Sequence, residues 1–308
     1  GMAALSASMA ASQQASINYT RGNEKEADRV GIALLANSNF DPQGAPSFFG
    51  KMSEKYRYAS KPPAMLLTHP LPESRIADAR QRAHKYPVRR LPPSLNFELA
   101  KSRIQARYQG NAKDNIAYFE RQLRKQSYSL QAGAKYGLAL SHFENGEYLQ
   151  AKNLLESLLK DDKNNLFYID ALTDVYLSLK EYDNALTMLA DLSLLMPNNQ
   201  VISLNYGNAL LSSGNFDKAA TVLQDFLLVK PGNYIAYDIL TTVYRKQGKQ
   251  GLVHITKAEV LALLGAYKKA VDELQTSYNF LEEQPLLQKR VKARILQLQE
   301  EEDKLKRL

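Results

Sequence analysis

The chain has 308 residues, 44% of them hydrophobic and 23% charged, with no cysteine and a formal charge of +8. That length accommodates two modest domains, or one domain followed by a repeat array, and the composition is that of a folded chain. No run of about 18 apolar residues is present to span a membrane, the absence of cysteine excludes a disulfide framework and thiolate metal sites, and basic residues scattered without an aromatic-interleaved patch argue against nucleic acid as a partner.

From the N-terminus, "GMAALSASMAASQQAS" has neither the basic start nor the Leu-rich core of a secretory signal, and its Gly-Met start suggests a cleaved tag joined to part of a longer gene product. The first 20 or so residues are expected to be mobile or engaged in intermolecular packing. In "GNEKEADRVGIALL", Gly22 to Leu35, acids crowd a first helical turn, where they complement the positive end of the helix dipole, and an apolar run follows. Glu24 and Asp28 stand four apart and share one helix face beside the small residues Ala27 and Gly31. Two carboxylates on a close-packed face need a cation to meet them. Glu26, on the opposite side, reads as an ordinary first-turn acid.

Two proline-rich stretches follow, "ASKPPAMLLTHPLPES" and "KYPVRRLPPS", and proline both breaks helices and biases its predecessor toward extended backbone. The first carries His69, an imidazole that a rigid turn can present to a metal. The second marks a domain boundary near 87–94. Between them "ESRIADARQRAHKY" predicts a helix with Ile76, Ala79 and Ala83 on one face and Arg75 near its start. Residues 1–90 read as a separate helical unit.

Beyond the boundary, Ala117, Ala151, Ala185 and Ala219 recur every 34 residues, inside "GEYLQAKNLLESLL", "KEYDNALTMLADLS" and "GNFDKAATVLQDFL". A small residue lets two antiparallel helices approach, a neighbouring aromatic (Tyr148, Tyr182, Phe216) seals the gap, and glycine ends the helix before. Pro197 and Pro231, again 34 apart, end the second helices of their units. The pattern resembles the tetratricopeptide repeat. It is strong over 132–233 and weaker over 98–131, which keeps Tyr108 and Ala117 but lacks the turn glycine. In "GAYKKAVDEL" the small residue is Ala270, 51 beyond Ala219, so a helix is gained or lost there. Val291, Ile295 and Leu298 form one stripe on a charged last helix that caps the array. The fold class expected is all-α, with a repeat solenoid over 91–308.

The motifs "EKEAD" and "HPLPESRI", in this order and followed by such repeats, resemble the second half of the active-site domain of the zinc metallopeptidases that include HtpX and the CAAX prenyl proteases, in particular the periplasmic subgroup fused to tetratricopeptide repeats. The resemblance implies that Glu24 is the third protein ligand of a catalytic zinc, that Asp28 fixes the tautomer of a ligating histidine, that His69 approaches the zinc from the substrate side, and that Arg75 pairs with Asp28 or steadies an oxyanion. It also implies a periplasmic location, misassembled outer-membrane proteins as substrates and their insertion complex as partner. The family's HExxH is missing: the histidines are His69, His84, His142 and His254, no two of them four apart. The chain therefore reads as an incomplete, inactive C-terminal portion that binds no zinc tightly by itself. His84, His142 and His254 read as structural or surface residues.

In the repeats, a peptide groove lined by first helices counted from 132, 166, 200 and 234 would include Tyr136, Leu140, Asp170, Asp174, Asn205, Asn208, Asp238 and Arg245, where amide side chains can clamp an extended backbone. The alternative is a non-enzymatic repeat adaptor whose first 90 residues are only a helical cap.

Overall fold

The structure, a computed structural model, describes residues 22–56, 73–89 and 91–306. The expectations for the first 20 or so residues and for His69 fall outside them. Every regular element among the described residues is helical, so the chain is all-α. It divides after Pro93 into two units.

In the first unit, helix α1 (22–37) buries Asp28, Ile32 and Ala36, one residue per turn on a single face. It ends at Asn39, in the left-handed region at φ 64°. Helix α2 (Gly44–Tyr56) follows, and α3 (Glu73–Ala83) contributes Ile76, Ala79 and Ala83 to the interior. Ile32, Ala79 and Ala83, with Phe49 and Tyr86 against them, form a small core. Alanine at the α3 positions lets the helices approach closely enough for one polar cluster to be held at its edge.

The second unit begins with α4 (Leu95–Tyr108) and α5 (Ala112–Lys125), then runs through the pairs α6 (Gln131–Glu144) and α7 (Tyr148–Asp161), α8 (Leu166–Ser178) and α9 (Tyr182–Leu195), α10 (Gln200–Ser212) and α11 (Phe216–Val229), and α12 (Tyr234–Lys246) and α13 (Gln250–Leu263). Ala151, Ala185 and Ala219 are fully buried, each seating a second helix against its neighbours. The turn between first and second helices needs one left-handed residue, supplied by Gly146, Gly214 and Gly248 at φ 80°, 82° and 71°, and by Lys180 at φ 61°. Asn165, Asn199 and Asn233, also 34 apart, cap the next first helices by accepting hydrogen bonds from the backbone N–H groups of Phe167, Val201 and Ala236 at 3.1, 3.0 and 2.9 Å.

The first pair departs from this plan. Ala117 is exposed, so its 34-residue spacing does not mark a packing position. Helix α5 instead buries Asn115 and Phe119, and the Phe119 ring covers Gly137 of α6 so closely that a Cβ there would lie 2.3 Å from it. Gly133, one turn earlier on α6, receives Glu98 of α4 in the same way, at 3.0 Å. Both helices therefore sit on α6 and scarcely on each other. They meet at their turn, where Gly110 at φ 66° supplies the left-handed residue, contrary to the expectation of a missing turn glycine. There the Asn115 amide donates to the carbonyls of Gln105 and Gln109 at 3.1 and 2.7 Å.

At the other end α12 and α13 keep the 34-residue register, since Gln250 begins a helix 34 after Phe216. Gly265, φ 73°, then repeats the first-to-second-helix turn only 17 residues after Gly248 and leads into α14 (Tyr267–Ser277). Helix α13 thus serves as second helix of one hairpin and first of the next, which is the physical origin of the half period at Ala270. The 22-residue α15 (Pro285–Lys306) packs Val291 and Leu298 onto Ala258, Ala270 and Leu274, and Arg294 chelates Glu259 at 2.9 and 2.7 Å.

Candidate functional site

In the first unit, the face of α1 that buries Ile32 begins with Glu24 and Asp28, and α3 sends Arg75 across to both. The guanidinium donates to the two Asp28 oxygens at 2.5 Å from Nε and 2.8 Å from Nη2, and Nη2 lies 2.6 Å from Glu24 Oε2. Its other face rests 5.0 Å over the Phe49 ring. Side-chain exposures of 11% for Arg75, 6% for Asp28 and 21% for Glu24 make this a mostly desolvated cluster of two carboxylates and one cation. The hydrogen bonds to Asp28 and the charge of Glu24 raise the Arg75 pKa further, against the opposing effect of burial. Glu26 pairs with Arg29 at 2.5 Å on the exposed side.

A catalytic zinc takes three protein ligands and an open position. Among the described residues no three His, Cys, Asp or Glu side chains converge on a point that could hold a metal, and the one suited carboxylate, Glu24, already faces a guanidinium. These residues alone do not fit a zinc ion.

In the second unit, a polar chain crosses successive first helices. Arg103 of α4 donates to the Tyr136 hydroxyl of α6 at 2.9 and 2.6 Å and to Asp170 of α8 at 2.8 Å, and Asn205 of α10 donates to the other Asp170 oxygen at 3.0 Å. Arg107, one turn on, reaches Asp174 at 2.9 Å. Burial pushes the Asp174 carboxyl up while its hydrogen bond from Arg107 pulls it down. Burial also pushes the Tyr136 hydroxyl up to about 12, with Arg103 acting in the opposite sense.

Four of the residues expected to line a groove, Tyr136, Asp170, Asp174 and Asn205, thus belong to this chain. Tyr136 and Leu140 have buried side chains, Tyr136 reaching the polar chain only with its hydroxyl, so neither lines an open surface. Asn208 is half-buried, and Asp238 and Arg245 are exposed. Arg103 and Arg107 were missed, although the sequence held a signal: two arginines four apart match two aspartates four apart across two periods. His84 is exposed, whereas His142 and His254 sit 2.5 Å from Glu147 and Glu273.

Residues 1–83 match the family model of peptidase family M48, and residues 134–165 and 176–238 match tetratricopeptide-repeat models. Over 299 residues the chain is 40% identical to a Vibrio cholerae protein assigned as a β-barrel assembly-enhancing protease, covering 97% of this chain and 62% of that one. The first 83 residues are thus similar to part of peptidase family M48 and the later ones to tetratricopeptide repeats. The M48 match ends at the C-terminus of α3, so it takes in the whole Glu24, Asp28 and Arg75 cluster. The β-barrel assembly-enhancing protease of Escherichia coli is 34% identical over 306 residues, covering 99% of this chain and 63% of that protein. The chain therefore spans about three fifths of the length of these relatives. Among solved structures, a thermophilic repeat protein of Thermus thermophilus aligns with TM-score 0.41 at 18% identity, covering 67% of this chain and 98% of that one.

Proposed function

We propose that this chain is the ligand-completing and partner-binding portion of a zinc metalloendopeptidase. In the whole protein Glu24 would join two histidines of an HExxH motif, which these 308 residues do not contain. The observation that carries this reading is the buried ion-pair cluster inside the M48 match: Glu24 and Asp28 are oriented by Arg75 from a second helix 47 residues beyond Asp28. A carboxylate held in this way loses little conformational freedom on meeting a metal, and Asp28, one turn on, is placed to hold a ligating imidazole. Zinc, when bound, would supply a Lewis acid for peptide hydrolysis. By itself the chain would bind zinc weakly and cleave nothing.

The repeats would bind protein partners. The relatives' names support β-barrel assembly as the process; the resemblance in sequence would make unfolded outer-membrane proteins and their insertion machinery the partners, and the periplasm the location. Among the described residues no helix is long and apolar enough to cross a membrane.

The test is a calorimetric zinc titration of this chain and of a polypeptide extended to include the HExxH motif. Tight binding only in the longer polypeptide, weakened at least about tenfold by Glu24→Gln, is the expected result. Equal affinity with and without the Glu24 carboxylate refutes the assignment and leaves a repeat adaptor.

A further inference from the structure

The splayed first pair of the repeat unit leaves a cleft of about 440 Å³ between α4 and α5. In the later pairs the two helices pack directly on each other; here both rest on α6 instead, Glu98 over Gly133 and Phe119 over Gly137. The cleft is lined by Phe97, Ile104, Tyr118, Gln122, Tyr128 and Leu130 among others. Phe97 and Ile104 are 64% and 51% exposed, and Tyr108 continues the same stripe of α4 at helical spacing. An apolar stripe of this kind on one helix, beside a second helix and above a third, has the shape of a seat for another helix.

The charges around it are one-sided. Residues 94–131 carry seven Lys and Arg against three Asp and Glu, a net +4. Arg103 and Arg107 are neutralised by Asp170 and Asp174. Lys101, 61% exposed and 3.8 Å from Glu98, lines the cleft from α4 with it, and Arg121, Arg124 and Lys125 are exposed at the end of α5. Among the described residues none forms an ion pair with Arg121, Arg124 or Lys125.

We infer that this cleft docks an acidic amphipathic helix of a partner protein, its apolar face against Phe97, Ile104 and Tyr118 and its carboxylates toward Lys101, Arg121 and Lys125. The inference rests on the repeats being a protein-binding array and is independent of the zinc reading. Ile104 and Leu130 favour aliphatic side chains over bases, and a nucleic-acid strand stacked on Phe97, Tyr118 and Tyr128 is the competing occupant that the test separates.

The experiment is fluorescence anisotropy on the 308-residue chain with a labelled helical peptide of about five turns, leucine and phenylalanine on one face and glutamate on the other. A lysine counterpart and oligo-thymidine serve as competing probes. The expected result is binding of the glutamate peptide alone, weakened at least about tenfold by Ile104→Glu and by the pair Lys101→Glu and Lys125→Glu, with helical circular dichroism unchanged. Lys268→Glu, on α14 and outside both the cleft and the expected groove, should leave it intact. If Arg245→Glu abolishes binding and Ile104→Glu does not, the array binds elsewhere and the cleft assignment falls while the repeat reading stands. Binding of no peptide removes both, and preference for the lysine peptide or for oligo-thymidine overturns the partner chemistry.

Discussion

Replacing Arg75 by Met, which nearly keeps its volume, should unlatch the first unit. The guanidinium makes two charge-assisted hydrogen bonds to Asp28 and an ion pair with Glu24, and its loss leaves Asp28, 6% exposed, as a buried carboxylate without its cation. Removing one partner of a buried pair costs about 3–5 kcal/mol. The partial exposure of Glu24 admits water, so we expect the lower end, about 3 kcal/mol. At 1.36 kcal/mol per decade this corresponds to roughly a hundredfold faster amide exchange. Hydrogen exchange read by mass spectrometry on peptides from α1 and α3 measures it without interference from the repeats. Adding Glu24→Gln and Asp28→Asn to Arg75→Met should restore most of the protection, because no uncompensated charge is then left in the interior. Acceleration below about fivefold for Arg75→Met, or a triple variant as labile as the sum of its parts, would refute the account of this cluster as mutually dependent charges.

Gly137→Ala should cost about 1–3 kcal/mol by overpacking, since its Cβ would lie 2.3 Å from the Phe119 ring; urea unfolding reads the loss, and Phe119→Leu in the same chain should recover part of it. Lys180→Gly should stabilise the array by about 0.5–1 kcal/mol, because Lys180 holds the left-handed φ of 61° that glycine adopts freely at the equivalent turns; no rise in the urea midpoint would count against strain at that turn. Burial pushes Tyr136 and Tyr168 each up to about 12. Their folded pKa values are raised, so the stability they contribute is complete below the unfolded tyrosine value of about 10 and is lost as pH rises from there through about 12. With 18 tyrosines and no tryptophan, absorbance at 295 nm should titrate in two steps, the second coinciding with loss of helicity; one step near pH 10 with the helices intact would contradict it.

The regular middle of the array was legible because its constraints are local and repeat. A buried alanine at 151, 185 and 219, a left-handed turn residue and a proline each act within one helical hairpin, and 34-residue spacing betrays them. The ends were not legible in that way. Ala117 obeys the period yet points outward, because α5 is positioned by a contact with the next hairpin, Phe119 into Gly137, which no feature of its own hairpin announces. At the other end the 51-residue interval showed only that a helix had been gained or lost; the geometry shows that α13 is shared between two hairpins.

The candidate site divides along the same line. That Glu24 and Asp28 share a face follows from the helix period alone, and the requirement for a cation follows from burying two carboxylates together. Of the two cations then conceivable, a metal or an arginine, the described structure contains the arginine. The bidentate contacts of Arg75 go to Asp28, while Glu24 meets the guanidinium at Oε2 and is 21% exposed. Asp28, nearly enclosed, is suited to orienting a neighbour, and Glu24, the more open of the two, is suited to reaching a ligand. On the function proposed above, this difference in burial would give the two carboxylates different tasks, and an Asp28→Asn change in the extended polypeptide should accordingly weaken zinc affinity less than Glu24→Gln does.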